Sequence, residues 1–332
     1  MKIKLILMTI LVSGLLLSCN SDDKSDTGNG EPTAAVDKIT IEMQHIVTPV
    51  DGQPASNYIK YNMLGGEIYF QELTGSPWEG NARLWSFSVL TNAFTLKNAR
   101  GESFSWSGWG NKLFNLNGQM VHIDQTSEPS AEYYVGANDN WVPIATNVPE
   151  NVVAGDVAVS GQHAYFLGGE FSNAFHSFLP DTGWSDIAPF PISIEDPVLV
   201  ADTNFVYSIG GREVENGMSE ANYFARYSID ENEWETLENV PHGTTGSNSG
   251  NRALIINDRF LVVLTSDENN TLLDVYDTEK KVWKTEPLST QYPVNYMYEF
   301  NGTLYFLSES YSETTEIVTR KLYKGTLSNL PN

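Results

Sequence analysis

One unit recurs six times along this 332-residue chain. It is a strand, a tight turn and a second strand rich in aromatic and β-branched residues. The copies lie at 61–70, 113–121, 157–166, 198–207, 253–262 and 298–306. Equivalent positions are Tyr69, Val121, Tyr165, Tyr207, Val262 and Tyr305, spaced by 52, 44, 42, 55 and 43 residues. A unit of this size cannot bury its apolar face alone, so neighbouring copies must stack to make a core.

A second hairpin follows in each of the first five units. It closes on an aromatic residue after a polar turn: Phe94, Trp141, Trp184, Trp234 and Trp283. Four of the eight tryptophans are used in this way. Four strands per unit is the strand count of a propeller blade. Asn-Gly at 117–118 and 301–302 supplies the left-handed turn geometry that two-residue hairpins need. The fold class read from this pattern is all-β, a six-bladed β-propeller of four-stranded blades.

The blades resemble those of the kelch family. The likeness rests on Gly168-Gly169 and Gly210-Gly211 closing second strands, on Tyr276-Asp277 in a third strand, and on the tryptophan that opens the fourth. It covers residues 38–325. Four units lack the double glycine, and the first has Phe94 where the others have tryptophan. No Trp-Asp dipeptide occurs, which disfavours a WD40 propeller. The sixth unit has three strands, the last near 318–327. A spare alternating strand at 38–46 is expected to pair beside it and close the ring, leaving no open edge.

The N-terminus sets the compartment. Lys2 and Lys4 precede a largely apolar run at 5–17, too short to span a bilayer but suited to a signal peptide. Leu16-Leu17-Ser18-Cys19 resembles a bacterial lipobox, which implies cleavage after residue 18 and a lipid on Cys19, the sole cysteine. Residues 19–37 are polar and acidic and read as a disordered tether. Ser21-Asp22-Asp23 resembles the surface-export signal of Bacteroidota lipoproteins. The expected organisation is a signal peptide at 1–18, the tether at 19–37 and a propeller at 38–332. The body is expected to be a monomer held to the outer membrane, at the cell surface, through Cys19.

Charge narrows the partners. Asp and Glu number 42 against 19 Lys and Arg, a surface that repels phosphate backbones and argues against nucleic acid. The five histidines, at 45, 122, 163, 176 and 242, show no metal-ligand spacing. No nucleophile elbow, phosphate loop or dinucleotide fingerprint is present. Copper-oxidase kelch enzymes need a cysteine-linked tyrosine, and the only cysteine is assigned to the lipid. No cofactor and no metal are expected.

Short turns between strands one and two, and between three and four, should lie on one face of the ring. The longer loops should lie on the other, where binding is expected. Trp78, Trp106, Trp109, Glu170, Arg212, His242 and Tyr292 are the ligand-binding candidates on that face, with Tyr296 beside them. Exposed tryptophans suit sugar rings or protein surfaces. Arg212 suits a carboxylate or sugar hydroxyls, or else a salt bridge to Glu213, Glu215 or Glu220. The primary expectation is a binding module that presents this face to a glycan or protein. Some six-bladed kelch proteins resemble sialic-acid mutarotases, so the alternative is a sugar mutarotase using Glu170, Arg212 and His242. A third reading is an accessory subunit of an outer-membrane uptake complex.

Overall fold

The computed structural model describes residues 40–41, 44–47, 60–74, 81–99, 111–124, 130–136, 140–145, 147–149, 152, 155–168, 172–213, 219–220, 222–244, 251–267, 270–288, 290, 293–312, 317–325 and 327–328. Among them there is no helix, and hence none long and apolar enough to cross a membrane. All belong to one compact unit, 36–332. Cys19 and the tether lie outside the described residues.

Six four-stranded antiparallel sheets form a six-bladed β-propeller. Blades 1 to 5 are continuous in sequence: 60–99, 111–145, 156–186, 198–236 and 253–287. Blade 6 takes three strands from Tyr296–Phe300, Thr303–Ser312 and Ile317–Gly325. Its outer strand is Gln44–Val47, paired antiparallel with Gln44 opposite Lys324 and Val47 opposite Lys321. The spare N-terminal strand therefore closes the ring. It does so in two pieces, because Thr40–Ile41 pairs separately with Leu327–Ser328.

The hairpins follow from local chemistry. Asn117 (φ 54°) and Gly118 (φ 72°), like Asn301 (φ 52°) and Gly302 (φ 74°), both adopt the left-handed conformation of a two-residue turn. Blades 1 to 5 expose part of the outer strand and bury most of the middle ones. In the second strand of blade 5, Phe260–Ser266, every residue but the last is buried.

The core lies between blades, with one apolar cluster at every seam. Tyr69 and Leu84 meet Leu113 and Met120 between blades 1 and 2. Phe114 and Ile123 meet Phe166 and Phe178 at the next seam. Tyr165 and Phe175 meet Val206 and Tyr227. Tyr207 and Phe224 meet Leu261 and Tyr276. Phe260 and Val275 meet Met297 and Phe306. The sixth cluster joins Tyr298 and Leu322 of blade 6 to Ile68 and Phe87 of blade 1. Burial at about 25 cal/mol per Å² of apolar surface makes each seam a major stabilising contact.

The fourth-strand aromatics brace these seams. Trp234 of blade 4 packs edge-on against Phe190 (4.7 Å) and tilted against Phe175 (4.9 Å), and its Nε1 donates to Ala188 O at 3.0 Å. Trp283 of blade 5 packs edge-on against Phe224 of blade 4 at 5.1 Å.

Turns between strands one and two, and between three and four, are two to four residues long. The loops on the opposite face run from four to sixteen residues. Two of them form an accessory three-stranded sheet, Ile194–Glu195 with Arg212–Glu213 with Ser219–Glu220.

Candidate functional site

Each inner strand starts on the elaborated face and runs along the axis. Lys112, Asp156 and Arg252 hold one repeat position, four residues before the inner strands end at Leu116, Ser160 and Ile256. Charge at the mouth is thus built into the repeat. Lys112 is 4% exposed. Burial pushes its ammonium below the usual lysine range, against the pull of Asp156 and Asp196. Asp156 shows the opposite effect: burial raises its carboxyl, against Lys112 and the Leu199 N–H, which donates to Oδ2 at 2.8 Å. This last bond stitches blade 3 to blade 4.

The accessory sheet brings Arg212 to the same mouth. Arg212 lies opposite Glu195 in the ladder. Its Nη2 bonds Asp196 Oδ2 and approaches Glu195 Oε2 at 3.6 Å. Neither carboxylate was singled out by sequence, which looked along the chain to Glu213, Glu215 and Glu220. Asp196 has a left-handed backbone (φ 49°), which aspartate tolerates better than most residues. Glu195 Oε2 is buried and makes no hydrogen bond among the described residues. A buried acceptor without a donor costs about 1–3 kcal/mol. The Arg212 side chain itself is 34% exposed.

Beside Arg212 stands the connection between blades 4 and 5. Gly211 N donates to Thr244 O at 2.7 Å. Two residues before Thr244 is His242, whose Nδ1 faces Asp274 Oδ2 at 3.1 Å and Oδ1 at 3.2 Å. Asp274 is fully buried in the third strand of blade 5. Thr265 Oγ1 (3.1 Å) and Thr285 Oγ1 (2.5 Å) also donate to it. The three donors account for burying this carboxylate.

Below the mouth, the inner strands of blades 1 to 5 line a cavity of about 240 Å³. Asn62 of blade 1 bridges it. Its Nδ2 lies 3.3 Å from Leu113 O and 3.3 Å from Asn251 Oδ1, in the segment leading into blade 5.

Of the ligand-binding candidates, Arg212 and His242 fall in the described residues, and the Gly211–Thr244 contact brings their segments together. Trp78, Trp106, Trp109, Glu170 and Tyr292 lie outside the described residues. Tyr296 does not reach the axis: it is 7% exposed and packs in the seam between blades 6 and 1. Lys112, Asp156, Glu195, Asp196 and Asp274 are additions from the fold. For Lys112 and Asp156 the signal was available, since a charge opens an otherwise apolar strand. Among the described residues no group of three or more His, Cys, Asp or Glu side chains is placed to hold a metal ion.

No protein-family model matches the chain, and no curated protein matches it. Among solved structures it is similar to that of YjhT, at 12% sequence identity and a TM-score of 0.52, over 72% of this chain and 86% of that one. At this identity the likeness speaks for the propeller fold alone.

Proposed function

We propose that the elaborated face is a binding site for a small, uncharged, hydroxyl-rich ligand, a sugar or the end of a glycan, centred on Arg212 and Glu195. The observation that carries this reading is the buried Glu195 Oε2 without a hydrogen-bond donor, set beside a partly exposed guanidinium. A sugar offers hydroxyls that donate to the carboxylate and accept from the arginine in one contact. Arg212 is already matched by two carboxylates, so its guanidinium carries no surplus charge for an acidic ligand. The chain as a whole is also strongly acidic, with a net charge of −23. In this reading the propeller is the body of a kelch-like lipoprotein, held by a lipid on Cys19 at the outer membrane and presenting the face outward.

A second reading, a sugar mutarotase, is favoured by one feature. The described part of the mouth is made of charged and titratable groups, not of a flat aromatic platform.

The test is saturation-transfer NMR on the soluble body, residues 38–332, with a panel of neutral and acidic monosaccharides and oligosaccharides. Neutral sugars should bind, and Arg212→Ala should weaken them at least tenfold without lowering the melting temperature by more than a few degrees. Binding that is unchanged in Arg212→Ala, or restricted to acidic sugars, overturns the assignment.

A further inference from the structure

We propose that the axial cavity is a subsite for one terminal sugar ring, held by hydroxyl contacts to Asn251 and to the open peptide edges of the inner strands. This rests on the sugar reading of the mouth and adds the place where the ligand ends. Among the described residues each inner strand pairs on one edge only, and its other edge faces the axis. In an antiparallel pair, alternate residues turn their N–H and C=O groups away from the partner strand. Two contacts set the phase of that alternation. Leu199 N donates to Asp156 Oδ2 at 2.8 Å, so Leu199 and Ala201 face the axis. Leu264 N donates to Arg252 O at 2.8 Å, so Ala253 and Ile255 face it too. In blade 3, Ser160 closes its hairpin opposite His163, which turns Val159 the same way. The peptide groups of Val159, Ala201 and Ile255 thus line the cavity, with no hydrogen-bond partner for them among the described residues. Peptide groups removed from bulk water require partners.

Asn251 adds a side-chain donor. The Asn62 amide has a fixed orientation: Oδ1 accepts from Met63 N at 2.9 Å and Nδ2 donates to Leu113 O at 3.3 Å. The Asn251 atom 3.3 Å from that Nδ2 must therefore be the oxygen. The Asn251 Nδ2 is left with no acceptor among the described residues, on a residue that lines the cavity. A hydroxyl accepts from such an amide and donates to a strand carbonyl in one contact. Met63, Val200 and Ile255 supply apolar surface for the C–H face of a ring. No charged side chain lines the cavity, and the open N–H and C=O groups come in pairs, so the ring it suits is neutral. The volume of about 240 Å³ limits the occupant to a single ring. Leu199 lines the cavity three residues after Asp196, the partner of Arg212, which is at most about 11 Å along the chain. A glycan ending in the cavity therefore keeps its next ring at Arg212 and Glu195.

The test is NMR on the body, residues 38–332, with the neutral disaccharides lactose, maltose and cellobiose. Saturation transfer reads binding, and intermolecular NOEs to the methyl groups of Met63, Val200 and Ile255 read location. One ring of a bound disaccharide should give these NOEs and the other none. Asn251→Ala should weaken binding about tenfold, the effect of one lost hydrogen bond. That variant keeps the backbone carbonyl that accepts from Met297 N at 2.9 Å, so the seam to blade 6 stays intact. Disaccharides that bind and lose affinity in Arg212→Ala, but give no NOE to these methyls, overturn this inference alone and leave the cavity to water. Affinity unchanged in Asn251→Ala overturns it as well. Disaccharides that fail to bind overturn the reading of the mouth and this inference with it.

Discussion

Gly211 donates its N–H to the carbonyl of Thr244 at 2.7 Å, and a Cβ on the preceding Gly210 would lie 2.0 Å from that same oxygen. The double glycine of blade 4 is therefore a docking point for the next connection, and it places the His242 segment beside Arg212. Gly210 also has φ +62°, a conformation that side chains disfavour. Gly210→Ala should cost on the order of 3 kcal/mol, through strain and loss of the contact. Urea denaturation should show the drop, and sugar binding should weaken with it because the two segments separate.

Trp234 joins blade 4 to blade 3 by ring packing and by its bond to Ala188 O. Trp234→Ala should destabilise the body by about 3 kcal/mol. Trp234→Phe should cost less, about 1 kcal/mol, since it keeps most of the packing and gives up the hydrogen bond. Equal losses in the two variants would remove packing as the explanation.

The Gln44–Val47 strand covers the outer edge of Ile317–Gly325. A protein beginning at residue 48 should leave the edge at 321–324 unpaired. Its melting temperature should fall relative to a protein beginning at residue 38. It should also associate with itself as concentration rises, because an open edge pairs with other chains. Size-exclusion chromatography over a concentration series reads this directly.

Acid sensitivity should centre in part on Asp277. Burial pushes its carboxyl up, but hydrogen bonds from the Arg259 guanidinium and from the N–H groups of Lys280 and Glu279 outweigh that and hold it below the usual range. A depressed folded pKa stabilises above the unfolded value, about 3.9, and the gain disappears as pH falls through the folded value. Arg259→Gln should therefore lower the urea midpoint near neutrality and converge with the unmutated protein at pH 2 to 3. A gap of constant size down to that pH would place the arginine's contribution elsewhere, in its contact over the Phe260 ring.

The repeat and its four-strand rhythm carry the architecture. Trp141, Trp184, Trp234 and Trp283 all open fourth strands, the Asn-Gly pairs at 117–118 and 301–302 make two-residue turns, and the N-terminal strand does complete blade 6. These features are legible because strand alternation and turn chemistry act over a few residues. The site was legible only in part. Arg212 and His242 stood out as polar residues in long loops, but their partners did not. Glu195 and Asp196 reach Arg212 from the preceding connection, and Asp274 reaches His242 from the next blade, 32 residues along the chain. Tyr296 went into a seam because the closing of blade 6 on blade 1 buries its ring, a fate shared by most aromatics here.

Local propensity and spacing thus determined the blade, its number and its closure. Which charged groups meet was decided only by tertiary structure, because a propeller brings together residues at the same depth on different blades, and that depth depends on how the seams pack.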